Sequence, residues 1–414
     1  MDIRIERVAD GRERVATVLL PASKSLSARA LLVASMAGCP QLVDGAADCD
    51  DTDALRRGLA TSNGAVNVGA AGTAMRFLAA YYAATPGTNV TLDGTARMRQ
   101  RPVAPLVDAL LQAGADVTWG GEEGFPPLVI KGRRLQPFDV AMRGDVSSQF
   151  VSAMMMIAPL CGGGTIRLTT PLTSLPYVEM TAAVMERYGA RVEVASDRVT
   201  VAGDPYRAAA MAIEADWSAA SYWYALTAVV PTLTVRLPGL TTDSLQGDSR
   251  IAAIMRDLGV ATDIDGGVIT LRHRRPPLCC SCPHSFYADL ADVPDLAQTI
   301  VVTLCLLERA FRITGLHTLR VKETDRLEAL RTELARFGYL LRTTTDSIEW
   351  HGQRCPAETL PRIDTHDDHR MAMAMAVAAV AHGPAVIERA EVVTKSYPDF
   401  WRHLAEAFPN IILP

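Results

Sequence analysis

The chain has 414 residues, is 49% hydrophobic and 21% charged, and carries a formal net charge of −5. That length exceeds one ordinary hydrophobic core, so two domains of roughly 200 residues are expected, and the apolar fraction excludes disorder as the main state. The mildly acidic balance argues against nucleic acid or an anionic membrane as the main partner, so an anionic substrate would have to be caught by local basic residues.

The opening segment, MDIRIERVADGRERV, has neither an apolar core nor a cleavage site, so no signal peptide is expected. The longest apolar runs, such as Ile300 to Leu307, fall short of the ~20 residues that span a bilayer. Eight cysteines in a chain of this length are no disulfide scaffold, and reduced thiols in the cytoplasm are the default.

Two patterns recur along the chain. The first is an amphipathic helix, a turn residue and a short strand, at 55–68, 106–117, 181–194, 251–264, 330–341 and 401–413. Its turn residues are Gly64, Gly114, Gly189, Gly259, Gly338 and Pro409. Glycine suits a helix C-terminus because left-handed backbone is cheap without a Cβ. The second is a helix apolar nearly all round, opened by small or polar residues, at 25–38, 71–83, 146–159, 217–230, 294–307 and 367–380. Such helices are expected to be buried. Together the patterns predict six βαβ-type units of about 70 residues, three in each of two domains. Each buried helix offers free N–H groups and a positive dipole end at its start, so chemistry is sought there.

Taken in chain order, the helix starts carry a distinctive set of side chains. Lys24, Ser25 and Arg29 surround the first turn of PASKSLSARALL, although a plain N-cap accounts for them equally. Gly69 and Gly72 in GAAGTAMRFL let backbone N–H groups approach a ligand, without GxGxxG or Walker spacing. Arg97, Arg99 and Arg101 form either a solvated basic face or, at Arg101, a fixed anion clamp. Ser147, Ser148 and Gln149 offer three short donors suited to a phosphate monoester, to which Ser174 and Tyr177 add. Asp295 follows in VPDLAQ. In RVKETDRL, Lys322, Glu323, Asp325 and Arg326 are crowded into five positions; Lys322 and Arg326 read as i,i+4 neighbours that repel unless an anion bridges them. Asp367, Asp368, His369 and Arg370 open an apolar helix and are expected to face a cleft, with Lys395 in VTKSYPDF completing the set. His366 and His369 invite a metal reading but lack a third ligand; Cys279, Cys280 and Cys282, with His273 and His284, form a second weak metal candidate.

These motifs occur in the order seen in EPSP synthases, and nine of them match from about residue 3 to 412, so the sequence resembles that enolpyruvyl transferase family. The resemblance implies an α/β fold: a two-domain inside-out α/β barrel of six βαβαββ-type units. Residues 1–20 and 215–414 would form one discontinuous domain and 21–214 an inserted second, with hinges near Leu20–Pro21 and Ile213–Asp216 and the active site in the interdomain cleft. It implies transfer of the enolpyruvyl group of phosphoenolpyruvate to the 5-hydroxyl of shikimate 3-phosphate, with release of phosphate, by a cytoplasmic monomer needing no metal or organic cofactor. By matching motif, Lys24, Ser25, Arg29, Ser147, Ser148, Gln149, Ser174, Tyr177, Asp295 and Lys322 would bind shikimate 3-phosphate. Lys24, Gly72, Arg101, Gln149, Arg326, Arg370 and Lys395 would bind phosphoenolpyruvate. Glu323 is the candidate proton donor to C3, Asp295 the candidate base for the hydroxyl, and Lys24 a third candidate catalytic group.

The sequence departs from the family at four places: Ala70 and Thr318 where Asn is usual, Phe77 where Pro is usual, and Leu175 where Lys is frequent. Gly72 leaves the phosphoenolpyruvate pocket free of a side chain, which favours sensitivity to glyphosate, an inhibitor of that site in the family. A UDP-N-acetylglucosamine enolpyruvyl transferase is the nearest alternative, but such enzymes typically carry a Cys in the loop that here reads DGTARMRQRP. A non-catalytic binding protein on the same fold is the alternative from another class.

Overall fold

The structure, a computed structural model, describes residues 1–6, 11–274, 285–409 and 411–412. The Cys279–Cys282 cluster and His284 lie outside the described residues, so the second metal candidate has no structural account. The chain forms two compact units: residues 1–21 with 214–414, and residues 22–213.

Each of the six apolar segments forms a helix: Lys24–Met36, Gly72–Ala84 and Ser148–Ile157 in one unit, and Trp217–Val229, Ala297–Leu306 and His369–His382 in the other. Short polar side chains start four of them. Ser23, Ser147, Asp216 and Asp368 each accept a bond from a backbone N–H of the first turn, a contribution of about 1 kcal/mol apiece. These helices are buried on nearly every side, as Leu32–Ala34 and Ala374–Val380 illustrate. Each fully buried aliphatic side chain contributes about 1.5–3 kcal/mol, so the apolar runs build the two separate cores around three helices each.

The sheets cover these helices. Strand Asn63–Asn67 runs parallel to Asn89–Asp93, with helix Gly72–Ala84 as the crossover, and Asp116–Trp119 with Leu128–Lys131 then extends the sheet as an antiparallel hairpin. The sheet built on Phe138–Met142 and Gly164–Leu168 repeats this order, as does the one built on Ser285–Asp289 and Ala310–Thr314. Alternation along Leu233–Pro238 buries Leu233, Val235 and Leu237 against the helices and turns Arg236 outwards. Four of the amphipathic helices run into glycines in left-handed backbone, with φ 85° at Gly114 and 91° at Gly338, whereas Gly64 lies within strand Asn63–Asn67 and the helix before it ends at Ala60.

Two features depart from a simple sixfold repeat. Strand Ile3–Ile5 lies antiparallel between Ala385–Glu388 and Ile411–Ile412, so the start of the chain completes the last sheet. The unit around Lys24–Met36 is reduced to two paired strands, Val43–Asp44 and Met211–Ala212. Helix Asp50–Leu59 runs directly into Asn63–Asn67, which opens the next sheet, leaving no chain for a hairpin. The six-unit expectation therefore corresponds to five four-stranded βαβαββ sheets and one abbreviated unit among the described residues.

Candidate active site

In the unit that contains the C-terminus, a buried network surrounds Asp295. This residue sits in the 3-10 turn Pro294–Leu296, just before helix Ala297–Leu306. One carboxylate oxygen accepts from Arg326 Nη1 at 2.9 Å and lies 3.9 Å from Lys322 Nζ. The other accepts from Arg370 Nη2 at 3.0 Å. Burial alone would push the Asp295 carboxyl up; Arg370, Lys322 and Arg326 outweigh it and hold the group well below the usual carboxylate range.

Arg326 opens helix Arg326–Arg336 and is 2% exposed. Its Nε donates to Asp368 Oδ2 at 2.6 Å and its Nη2 to Glu323 Oε2 at 3.0 Å. Burial works against its charge, but Asp368, Glu323 and Asp295 keep the guanidinium protonated beyond even its ordinary range. Lys395, at the end of the Ala390–Lys395 turn, donates to Glu323 Oε1 at 2.6 Å. Arg370 Nη2 also reaches Ser218 Oγ at 3.3 Å, and that hydroxyl donates to Asp248 Oδ2. Burial pushes the Asp248 carboxyl up to about 7, with Arg370 opposing.

The inserted unit carries a second set. Lys24 Nζ lies 3.2 Å from Asp51 Oδ2. Arg29 is enclosed: Nε donates to Thr181 Oγ1 at 2.7 Å, Nη1 to the Ser25 carbonyl at 2.9 Å and Nη2 to the Tyr177 carbonyl at 3.2 Å. Its guanidinium also faces the Phe77 ring at 5.5 Å, and burial lowers its pKa to about 10. Gly72 begins helix Gly72–Ala84 directly beside buried Arg101; a Cβ there would lie 2.7 Å from Arg101 Nη2. Ser147 caps its helix, and Gln149 Nε2 donates to Thr73 Oγ1 at 3.2 Å. Ser174, just before helix Leu175–Arg187, is buried in left-handed backbone with φ 56°.

A carboxylate held ionised among three cations, with a lysine–glutamate pair beside it, suits binding of an anion and movement of a proton. The family profile described as EPSP synthase (3-phosphoshikimate 1-carboxyvinyltransferase) matches residues 55–404, which take in all of these groups but Lys24, Ser25, Arg29 and Asp51. The chain belongs to the EPSP synthase family.

Curated relatives in this family cover nearly the whole chain. A 3-phosphoshikimate 1-carboxyvinyltransferase of Bacteroides fragilis is 44% identical over 395 residues, 95% of each sequence. One of Methanopyrus kandleri is 37% identical over 420 residues, 94% of this chain and 95% of its own. Among solved structures, an EPSP synthase from Acinetobacter baumannii superposes with a TM-score of 0.75 over 100% of both chains at 18% identity. An enolpyruvyl transferase from Streptomyces tendae gives 0.70 at 15% identity, covering 98% of this chain and 97% of its own. These likenesses identify the fold.

Set against the EPSP synthase motifs, the structure brings Asp295, Lys322, Glu323, Arg326, Arg370 and Lys395 together in one unit. Gly72 and Arg101 adjoin in the other, where Lys24 pairs with Asp51, and Ser25 and Tyr177 both meet Arg29 through their carbonyls. Several readings are corrected. Lys322 precedes the helix that Arg326 opens, so the two are not stacked on one helix face, and the anion between them is Asp295. Asp368, His369 and Arg370 are buried and only Asp367 is exposed, because Arg326 draws Asp368 inwards. Arg97 and Arg99, by contrast, bond Gln100 and Asp93 on an exposed face, as the reading of a solvated basic face expects, while Arg101 is buried. His366 Nε2 pairs with Glu333 Oε1, and among the described residues no group of three or more His, Cys, Asp or Glu is placed to hold a metal ion. Asp51, Thr73, Ser218 and Asp248 were missed. Asp51 reads as an acidic helix start, Thr73 and Ser218 read only as small polar residues opening apolar helices, and Asp248 lies in no motif.

Proposed function

We infer that this chain transfers the enolpyruvyl group of phosphoenolpyruvate to the 5-hydroxyl of shikimate 3-phosphate, releasing phosphate. The observation that carries the reading is Asp295, ionised between Lys322, Arg326 and Arg370 in a member of this family. Asp295 is proposed as the base that takes the hydroxyl proton, for which displacement of its arginine partners by substrate would have to raise its basicity, while the arginines suit the phosphate and carboxylate of phosphoenolpyruvate. Glu323 accepts from Arg326 and Lys395 and so stands as a carboxylate. Its donor role at C3 therefore needs a proton, and Lys395 Nζ is one hydrogen bond away. Loss of phosphate from the tetrahedral intermediate leaves negative charge that the same cations stabilise.

The proposal treats Lys24, Ser25, Arg29, Gly72, Arg101, Ser147, Ser148, Gln149, Ser174 and Tyr177 as further ligands of the two substrates, by their match to the family's motifs. Among the described residues no helix is long and apolar enough to cross a membrane. A cytoplasmic monomer is proposed on the family resemblance alone. Glyphosate is proposed as an inhibitor because Gly72, which has no side chain, lets the Arg101 guanidinium lie directly against the start of its helix. Lack of competition with phosphoenolpyruvate at millimolar glyphosate would overturn that.

The activity is tested by phosphate release with each substrate omitted in turn. Release should need both substrates and should vanish in Glu323→Ala and Lys24→Ala. Binding of both ligands without phosphate release by the unaltered protein would overturn the reading.

A further inference from the structure

His366 stands two residues before Asp368, which holds Arg326, and four before Arg370. His366 and Asp367 both take left-handed backbone, with φ 51° and 54°. Residues with a Cβ rarely adopt that conformation, and such a corner persists only where its surroundings hold it. Three contacts hold this one. The His366 N–H donates to Asp364 Oδ1 at 2.6 Å, its Nε2 meets Glu333 Oε1 at 2.9 Å, and Arg389 bridges Asp364 and Asp367.

Glu333 is 1% exposed and lies on helix Arg326–Arg336, about two turns beyond Arg326. Its second oxygen accepts from Arg336 Nε at 3.0 Å and from the Asp364 N–H at 3.3 Å. The His366–Glu333 bond therefore ties the helix that presents Arg326 to the corner that presents Asp368 and Arg370.

We propose that His366 is a positioning residue: through Glu333 it fixes the register of Arg370 against Arg326 and thereby sets affinity for the anion those arginines bind. The proposal rests on the reading of that anion as phosphoenolpyruvate. The charged groups facing His366 are Glu333 and Arg336 from the helix, Asp364 and Asp367 from its own segment, and Arg389 from the turn after strand Ala385–Glu388. The bond to Glu333 leads in raising the His366 pKa, with burial opposing. The charged bond thus survives through the ordinary histidine range and weakens only above it.

The test is steady-state kinetics and thermal unfolding of the full chain as wild type, His366→Ala and His366→Gln. His366→Ala should raise KM for phosphoenolpyruvate about tenfold and leave kcat within about twofold, since only binding geometry is disturbed. His366→Gln, which keeps an N–H toward Glu333, should recover most of the loss. Wild-type KM should climb at alkaline pH by a component that His366→Gln lacks. An unchanged KM in His366→Ala, or a fall in Tm alone, overturns the proposal. Should His366→Ala not fold, identical KM–pH profiles for wild type and His366→Gln overturn it. An inactive wild type sinks the functional reading alone, because titration calorimetry with phosphoenolpyruvate still reads the shift caused by His366→Ala.

Discussion

Arg326 and Asp368, 42 residues apart in sequence, form a fully buried pair in which Nε meets Oδ2 at 2.6 Å and Nη2 meets Oδ1 at 3.3 Å. The same Asp368 oxygen Oδ1 caps the next helix by accepting from the Arg370 N–H at 2.8 Å. One carboxylate thus places two arginines, and Asp295 accepts from both on its opposite oxygens.

Arg326→Lys should destabilise the fold. A lysine ammonium cannot reproduce the planar fork that serves Asp368, Asp295 and Glu323 at once. Leaving a buried partner uncompensated costs about 3–5 kcal/mol. Denaturant unfolding checks this, and an unchanged midpoint would contradict it.

Asp295→Asn should lower kcat by about 10²–10⁴-fold, the usual worth of a positioned base. Because its cations hold Asp295 below the ordinary carboxylate range, the wild-type carboxyl stays ionised through mildly acid pH. The acid limb of the kcat profile should therefore not belong to Asp295; a limb that Asp295→Asn removes would show otherwise.

Gly72→Ala should separate binding from folding. The three atoms nearest an added Cβ all belong to the Arg101 guanidinium, so that group must swing away. Alanine is also about 1 kcal/mol better than glycine within a helix. KM for phosphoenolpyruvate should rise while Tm holds or increases. Equal KM values for variant and wild type would place Arg101 outside the site.

Asp248 should make stability fall with rising pH. Its folded pKa, about 7, stands above the ordinary 3.8, so between those values the folded protein keeps a proton that the unfolded chain has released. This contribution is fully present below the ordinary value and is lost as pH climbs through about 7. Asp248→Asn should flatten that part of the profile. Urea unfolding across the range measures it, and parallel curves for the two proteins would refute the assignment.

Much of this was legible in the residues. Burial is a local preference repeated along a helix, so the apolar run at 71–83 announces helix Gly72–Ala84, and Gly114 announces the end of its helix. The density of KETDR announced a site, but its partners did not follow from spacing: Arg326 bonds residues 31 positions earlier and 42 later. Asp248 lies outside both recurring patterns and Ser218 reads only as a small residue opening the apolar helix at 217–230; they matter because Arg370 reaches Ser218.

By itself the sequence determined the alternating α/β elements, the two cores and the family, because apolar periodicity and spaced motifs are written in one dimension. Only the tertiary structure decided which charges pair. The net charge of −5 conceals a balance struck contact by contact: Lys24 with Asp51, Lys395 with Glu323, and Arg326 and Arg370 with Asp295 and Asp368. Buried charges are tolerable only when hydrogen-bond acceptors or opposite charges stand within reach, carbonyls and a hydroxyl for Arg29 and carboxylates for Arg326, and which of them arrives depends on how distant turns converge.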